Sequence, residues 1–165
     1  HIDAGDGKFI TRKFSGVKKA KMIKKKFKDS KLHAHLMVEN PHLSQEGEIC
    51  QIEQYAKAGC EAIAIHPRAF KDKNELFNAL RLIRNLGVRP GILIETSDSI
   101  DNNMVEIIAK ANLDWVVVMG VPIGYGGQIF QFTTLQTLSN INEFFRLLRK
   151  DYLIGRNSSK KTISL

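Results

Sequence analysis

The sequence predicts an α/β fold with parallel strands, and three observations predict it. Short β-rich apolar runs alternate strictly with stretches of helical periodicity along the 165 residues. One of those runs, DWVVVMG, is apolar almost throughout, as a strand buried on both faces requires. Single glycines, Gly59 and Gly87, follow two of the helical stretches, where a left-handed residue closes a helix. Repeated strand–helix units imply parallel strands joined by right-handed crossovers. Two architectures satisfy that pattern: an open doubly wound sheet and an eight-stranded barrel. A count of six strands and five helices favours the open sheet. A chain that starts within one strand and stops within another fits a barrel lacking strands at its ends.

The elements follow in order. HIDA reads as the end of a strand, with His1 and Asp3 on one face because side chains alternate along a strand. Residues 15–28 read as a helix with Ser15 as N-cap and Val17, Ala20, Ile23 and Phe27 as its buried stripe. LHAHLMV (32–38) is a strand, ended by Glu39-Asn40-Pro41. Residues 45–58 form a helix, 61–67 a strand, 73–86 a helix and 91–95 a strand. A shorter helix over 103–111 leads to the strand 114–120 and then to a glycine-rich loop, VPIGYGGQ. Residues 133–150 form a helix with Phe144, Phe145, Leu147 and Leu148 on its inner half. GRNSSKK is a polar loop, and TISL is the first half of another strand. Nothing reads as a linker or low-complexity segment, so residues 1–165 are expected to form a single domain.

Composition narrows the class. A hydrophobic content of 43% supports a real core. No apolar run approaches the roughly 20 residues that span a bilayer, and the opening residues do not read as a secretory signal. Cys50 and Cys60 are too few for a disulfide framework and read as buried free thiols in a reducing, cytoplasmic setting. The net charge of +8 comes largely from SGVKKAKMIKKKFKDSK. This stretch reads as a helix with a solvated lysine face that helps attract an anionic substrate. It lacks the interleaved aromatics on which bases stack, so no nucleic-acid partner is expected. A nucleic-acid module built on Lys24, Lys25 and Lys26 is the weaker alternative, and no membrane association is expected.

Polar groups cluster at the predicted C-terminal strand ends, where parallel α/β folds assemble their sites. The first strand offers His1 and Asp3; the second offers His35, with His33 on the same face; the third offers His66. Neutral imidazoles and a carboxylate suit zinc or a similar divalent ion, and two His with one Asp leave a further coordination position. In GYGGQ, glycines let several backbone N–H groups turn toward one anion. The loop is neither a Walker loop nor a Rossmann fingerprint.

In that order, HIDAGDGKF, HLMVENP, AIHP, VVVMGVPIGYGGQ and TISL resemble the ribulose-phosphate 3-epimerase family along essentially the whole chain. The resemblance implies a (β/α)8 TIM barrel of the ribulose-phosphate-binding type, here incomplete. It implies an isomerase of the pentose phosphate pathway that interconverts D-ribulose 5-phosphate and D-xylulose 5-phosphate. The cofactor implied is a divalent metal, zinc first, with manganese, iron or cobalt as alternatives. Residue by residue, His1, Asp3 and His35 would be metal ligands, with Asp3 also the general base. Met37 and Met119 would line the reacting carbons, and Gly124, Tyr125, Gly126 and Gly127 would contact the phosphate. His66 would line the cavity. Such an enzyme removes the C3 proton on one face and returns one on the other, which takes two acid–base groups. The resemblance puts the second carboxylate in an Asp-Gly turn just after Leu165, and a first strand with a substrate-binding serine before His1. The chain as it stands is therefore expected to be inactive, and the complete protein to be a homo-oligomer. Gly5 stands where the family commonly has Met, Glu95 ends a strand that usually continues Asn-Pro, and Pro122-Ile123-Gly124-Tyr125 replaces Asn-Pro-Gly-Phe. These departures admit another ketose phosphate, such as allulose 6-phosphate, or a non-catalytic barrel remnant.

Overall fold

The structure is a computed structural model, and it describes residues 1–44 and 47–153. One sheet organises it. The strands are β1 (Ile2–Asp6), β2 (Lys13–Phe14), β3 (His33–Met37), β4 (Ala62–Ile65), β5 (Arg89–Ile94) and β6 (Trp115–Val118). The helices are α1 (Val17–Lys26), α2 (Gln51–Lys57), α3 (Lys73–Asn85), α4 (Asn102–Lys110) and α5 (Thr133–Leu153). The strands lie in the order β2-β1-β3-β4-β5-β6. Every pairing is parallel except the short antiparallel β1–β2 contact. The parallel strands sit side by side in chain order with no reversal. A doubly wound sheet reverses at a switch point, so this arrangement is a sector of a barrel.

The two faces of the sheet carry different cores. On the outer face Ile2, Ala4, Ala34, Leu36, Ile63, Ile65, Ile92, Ile94 and Val116 pack against the helices, where Leu76, Leu80, Ile83 and Ile107 meet them. The inner face carries a smaller cluster of Ala62, Ala64, Leu93 and Trp115, with Val117 and Met119 against it. Asp3, His35, Ala64, Gly91 and Trp115 are register partners from strand to strand, so they form one inward layer across the sheet. A Cβ on Gly91 would collide with the Trp115 indole. The small residues of β4 and β5 thus make room for one large side chain from β6, in the same layer as Asp3 and His35.

Helix starts and stops follow local chemistry. Asp72 caps α3 by accepting from the Asn74 and Glu75 N–H groups, and Asp101 caps α4 by accepting from Met104 N–H. Gly59 and Gly87 lie after α2 and α3 with φ of +90° and +75°, in the left-handed region. The cap of α1 is Gly16, not Ser15. Its N–H donates to the Tyr55 hydroxyl at 2.7 Å, and a side chain there would strike Ile2, so tertiary packing sets the helix start. Phe27 leaves the expected buried stripe: the helix ends before it, at φ −128° and ψ 83°, and the ring is 56% exposed. The second helix begins at Gln51 and not at 45, because Gly47 is left-handed and Cys50 is extended. Cys50 and Cys60 are free and buried, as expected.

The described sheet reaches six strands only by including β2, which the sequence does not announce. TISL and GRNSSKK lie outside the described residues, as do the side chains of Leu147 and Leu148. Phe144 and Phe145 pack against the outer core around Ile141. Among the described residues, no helix is long and apolar enough to cross a membrane.

Candidate functional site

His1, Asp3 and His35 converge at the inner face of neighbouring parallel strands. Asp3 of β1 and His35 of β3 are register partners, which brings their side chains together. Asp3 Oδ1 lies 3.2 Å from His35 Nδ1 and 3.3 Å from His1 Nε2. One donor atom from each residue lies within 4.8 Å of the others. His35 is buried, whereas His1 and Asp3 open toward solvent. The bond from His35 holds the Asp3 carboxyl below its ordinary range, against the opposing pull of partial burial. Two imidazole nitrogens and a carboxylate oxygen this close, with an open side, fit the donor chemistry of a divalent ion.

A cavity of about 420 Å³ adjoins this cluster. Met37 and Met119 line it, together with Tyr125 and the backbone of Gly124 and Gly126. Gly127 does not line it; with φ +73° it turns the chain behind the cavity wall. The loop is braced from inside: Gln128 Nε2 donates to the carbonyls of Pro122 and Tyr125 at 2.7 and 2.8 Å. His33 stays out of the cluster. It points to the opposite end of the strand layer, 5.1 Å from the Trp115 ring and 3.2 Å from Arg89 Nη2.

Arg12, Phe14 and Arg68 escaped sequence reasoning. Arg12, just before β2, and Phe14, within it, line the cavity. The Arg12 guanidinium sits 5.8 Å from the Tyr125 ring and brings a cation to the cavity mouth. The available signal was Gly5: a glycine inside a strand marks a close backbone approach. Its Cβ would fall 2.7 Å from the Arg12 carbonyl oxygen, so β2 occupies the space a larger residue would need.

A row of buried groups lies behind His35, and the sequence names two of its members, His66 and Glu95; His66 is wholly buried and does not line the cavity, contrary to what the resemblance implies. His35 Nε2 is 2.8 Å from His66 Nε2, and His66 Nδ1 is 2.9 Å from Glu95 Oε1. Arg68 completes the row, its Nε and Nη2 donating to Glu95 at 2.5 and 3.1 Å. Burial alone would raise the Glu95 carboxyl, but the partners His66 and Arg68 overcome it and bring its pKa down to about 2. Burial holds His66 below the ordinary imidazole range, so the ring is neutral. Glu95 therefore presents no unpaired charge to an anion in the cavity, since its carboxylate is turned to Arg68 and His66.

The sequence profile of the Ribulose-phosphate 3 epimerase family matches residues 1–155. The chain belongs to the ribulose-phosphate 3-epimerase family. It is 28% identical to the ribulose-phosphate 3-epimerase cytoplasmic isoform of Oryza sativa subsp. japonica over 92% of this chain and 59% of that protein. It is 27% identical to the ribulose-phosphate 3-epimerase of Aquifex aeolicus, over 87% of this chain and 58% of the relative. The Bacillus subtilis enzyme of the same name is 28% identical over 86% of this chain and 58% of its own length. The chain thus spans under two thirds of these curated relatives. Within the epimerase family frame, Gly5 answers to the approach of β2, and Glu95 to its partnership with Arg68 and His66.

Proposed function

We propose that this protein is a metal-dependent epimerase that interconverts D-ribulose 5-phosphate and D-xylulose 5-phosphate by proton transfer at C3. Family membership supports the reaction class, and the observation that carries the reading is the convergence of His1, Asp3 and His35 beside a glycine-walled cavity. His1, Asp3 and His35 would hold the ion. When bound, it supplies Lewis-acid polarisation of the ketone next to C3.

This chain's residues do the rest. Asp3, ionised at neutral pH, takes the C3 proton from one face. Met37 and Met119 give the reacting carbons an apolar, polarisable wall that excludes water. The turned backbone of Gly124 to Gly126, with the Tyr125 and Arg12 side chains, receives the phosphate. Among the described residues lining the cavity, Asp3 is the one carboxylate. Removal and return of the proton on one face needs that group alone; inversion needs a second acid on the other.

Deuterium exchange separates those two requirements. Zinc-loaded protein incubated with D-ribulose 5-phosphate in D2O is expected to wash deuterium into C3, read by proton NMR. Exchange should vanish in Asp3→Asn and after chelation, and return when a divalent ion is restored. Undiminished exchange in Asp3→Asn would remove the base assignment, and full exchange in chelated protein would remove the metal.

A further inference from the structure

We propose that α1 docks the protein on an anionic lipid surface, its exposed lysines meeting the headgroups and Met22 entering the layer beneath them. The inference is independent of the metal reading and of the reaction. It concerns a face of the molecule that neither uses.

Packing fixes which side of the helix is free. Val17, Ala20 and Ile23 turn onto the outer core. Lys18, Lys19, Lys21, Lys25 and Lys26 are exposed on the other side. Met22 stands at the centre of that side and is 70% exposed. Residues three and four apart on a helix are neighbours, so Lys18, Lys19, Lys25 and Lys26 surround it. Phe27 follows at the helix end, 56% exposed, with Lys26 Nζ 5.4 Å from its ring centroid. The sequence alone suggests a solvated lysine face, and the structure adds two large apolar side chains to it. A lone exposed methionine needs no explanation, whereas one encircled by four lysines does.

The folded chain does not balance the charge of this face. Among the described residues, Lys24 is the one lysine of α1 with a carboxylate partner, its Nζ lying 3.1 Å from Glu61 Oε1. Lys21 and Lys25 are four residues apart, and like charges at that spacing repel. The first turn of α1 holds no acidic residue, and Lys18 and Lys19 sit near the positive end of the helix dipole. An anionic surface outside the chain relieves each of these costs. A polynucleotide would supply the charge but would give Met22 no place, and the face has no series of aromatic rings on which bases stack. A bilayer supplies both. Its anionic headgroups attract clustered lysines. Its acyl boundary accepts the apolar side chains while the lysine stems reach back to the headgroups.

Co-sedimentation of the full chain with lipid vesicles tests this without metal or substrate, so its result is separate from that of the exchange experiment. The protein should bind vesicles of phosphatidylcholine containing about a quarter phosphatidylserine, and should be released as salt is raised. It should not bind vesicles of phosphatidylcholine alone. Lys25→Gln and Lys26→Gln should each weaken binding about fivefold. Met22→Gln should weaken it about three- to tenfold. All three are surface changes, so urea midpoints should stay in place and exclude unfolding as the cause. With labelled methionine methyls, the Met22 signal should broaden when the bilayer carries a nitroxide on its acyl chains, and that of buried Met104 should not. The proposal is overturned by no binding to the anionic vesicles, by equal binding to both kinds, or by undiminished binding in any of the three variants. A Met22 signal untouched by the nitroxide also overturns it. Tighter binding to single-stranded RNA than to anionic vesicles, indifferent to Met22→Gln, assigns the face to nucleic acid and overturns it as well.

Discussion

At Glu95 a buried carboxylate is tolerable because of what it meets. It would be a liability beside an anionic substrate if it pointed into the cavity; instead Arg68 and His66 enclose it. The pairing makes a prediction about acid. The Glu95 pKa is lowered from 4.5 to about 2 in the folded chain. A depressed carboxyl contributes stability that is fully present above its unfolded value and lost as pH falls through its folded one. Urea midpoints should therefore fall as pH drops from 4.5 toward about 2, and Glu95→Gln should flatten that window. At neutral pH the same variant should cost on the order of 1–3 kcal/mol, with Arg68's half-exposed head limiting the loss. An equally steep acid loss in the variant would assign the effect elsewhere. The contrast with Asp3 is instructive: both carboxyls are lowered, but Asp3 remains half-exposed at the cavity and Glu95 does not.

At the scale of elements, the β1–β2 pair shapes the cavity mouth. Two residues of β2 cannot show an alternating pattern, so Lys13 and Phe14 are invisible as a strand in sequence. Their pairing depends on Gly5, register partner of Phe14, whose missing side chain leaves room for the Arg12 carbonyl and the Ile10 side chain. Gly5→Ala would place a Cβ 2.7 Å from both, and the Arg12 carbonyl is backbone that cannot swing aside. The expected result is displacement of β2 at a cost of about 1–3 kcal/mol. Hydrogen exchange should report it at the Gly7 amide, which donates to the Arg12 carbonyl at 3.2 Å. Unchanged protection there would show that β2 is not held by this contact. The lysine-rich α1 behaves as an ordinary amphipathic helix. Ala20 is fully buried, Val17 and Ile23 pack on the core, and Lys24 reaches Glu61 at 3.1 Å. Its last-turn lysines also complement the helix dipole.

At the scale of the whole molecule, the inward layer is built unevenly, with Ala64 and Gly91 small and Trp115 large. The packing of this layer therefore rests on a single indole, 8% exposed, whose Nε1–H reaches the Arg89 carbonyl at 3.4 Å. Trp115→Ala should cost about 3–5 kcal/mol in urea unfolding, because small neighbours cannot close the space. A loss under about 1 kcal/mol would mean that the interior collapses to fill it. The layer also explains why the clustered His and Asp side chains come from β1 and β3: across β4 and β5 the register partners are Ala64 and Gly91, which carry no donor atom.

The sequence by itself determined the alternation of strands and helices, the parallel class and the helix-closing glycines, because periodicity and left-handed turns are local properties of the chain. It also named His1, Asp3 and His35 as candidate donors, but the strand ends expected for them are not where they lie: His1 precedes β1, Asp3 is near its start and His35 is in the middle of β3. Only the tertiary structure decided that these three meet, since register across strands sets their distances and no local pattern encodes it. The same holds for Gly16 displacing Ser15 as a cap, for Arg12 at the cavity mouth and for the row from Glu95 to His35. Each is a contact between residues far apart in the chain, governed by packing and charge pairing in three dimensions.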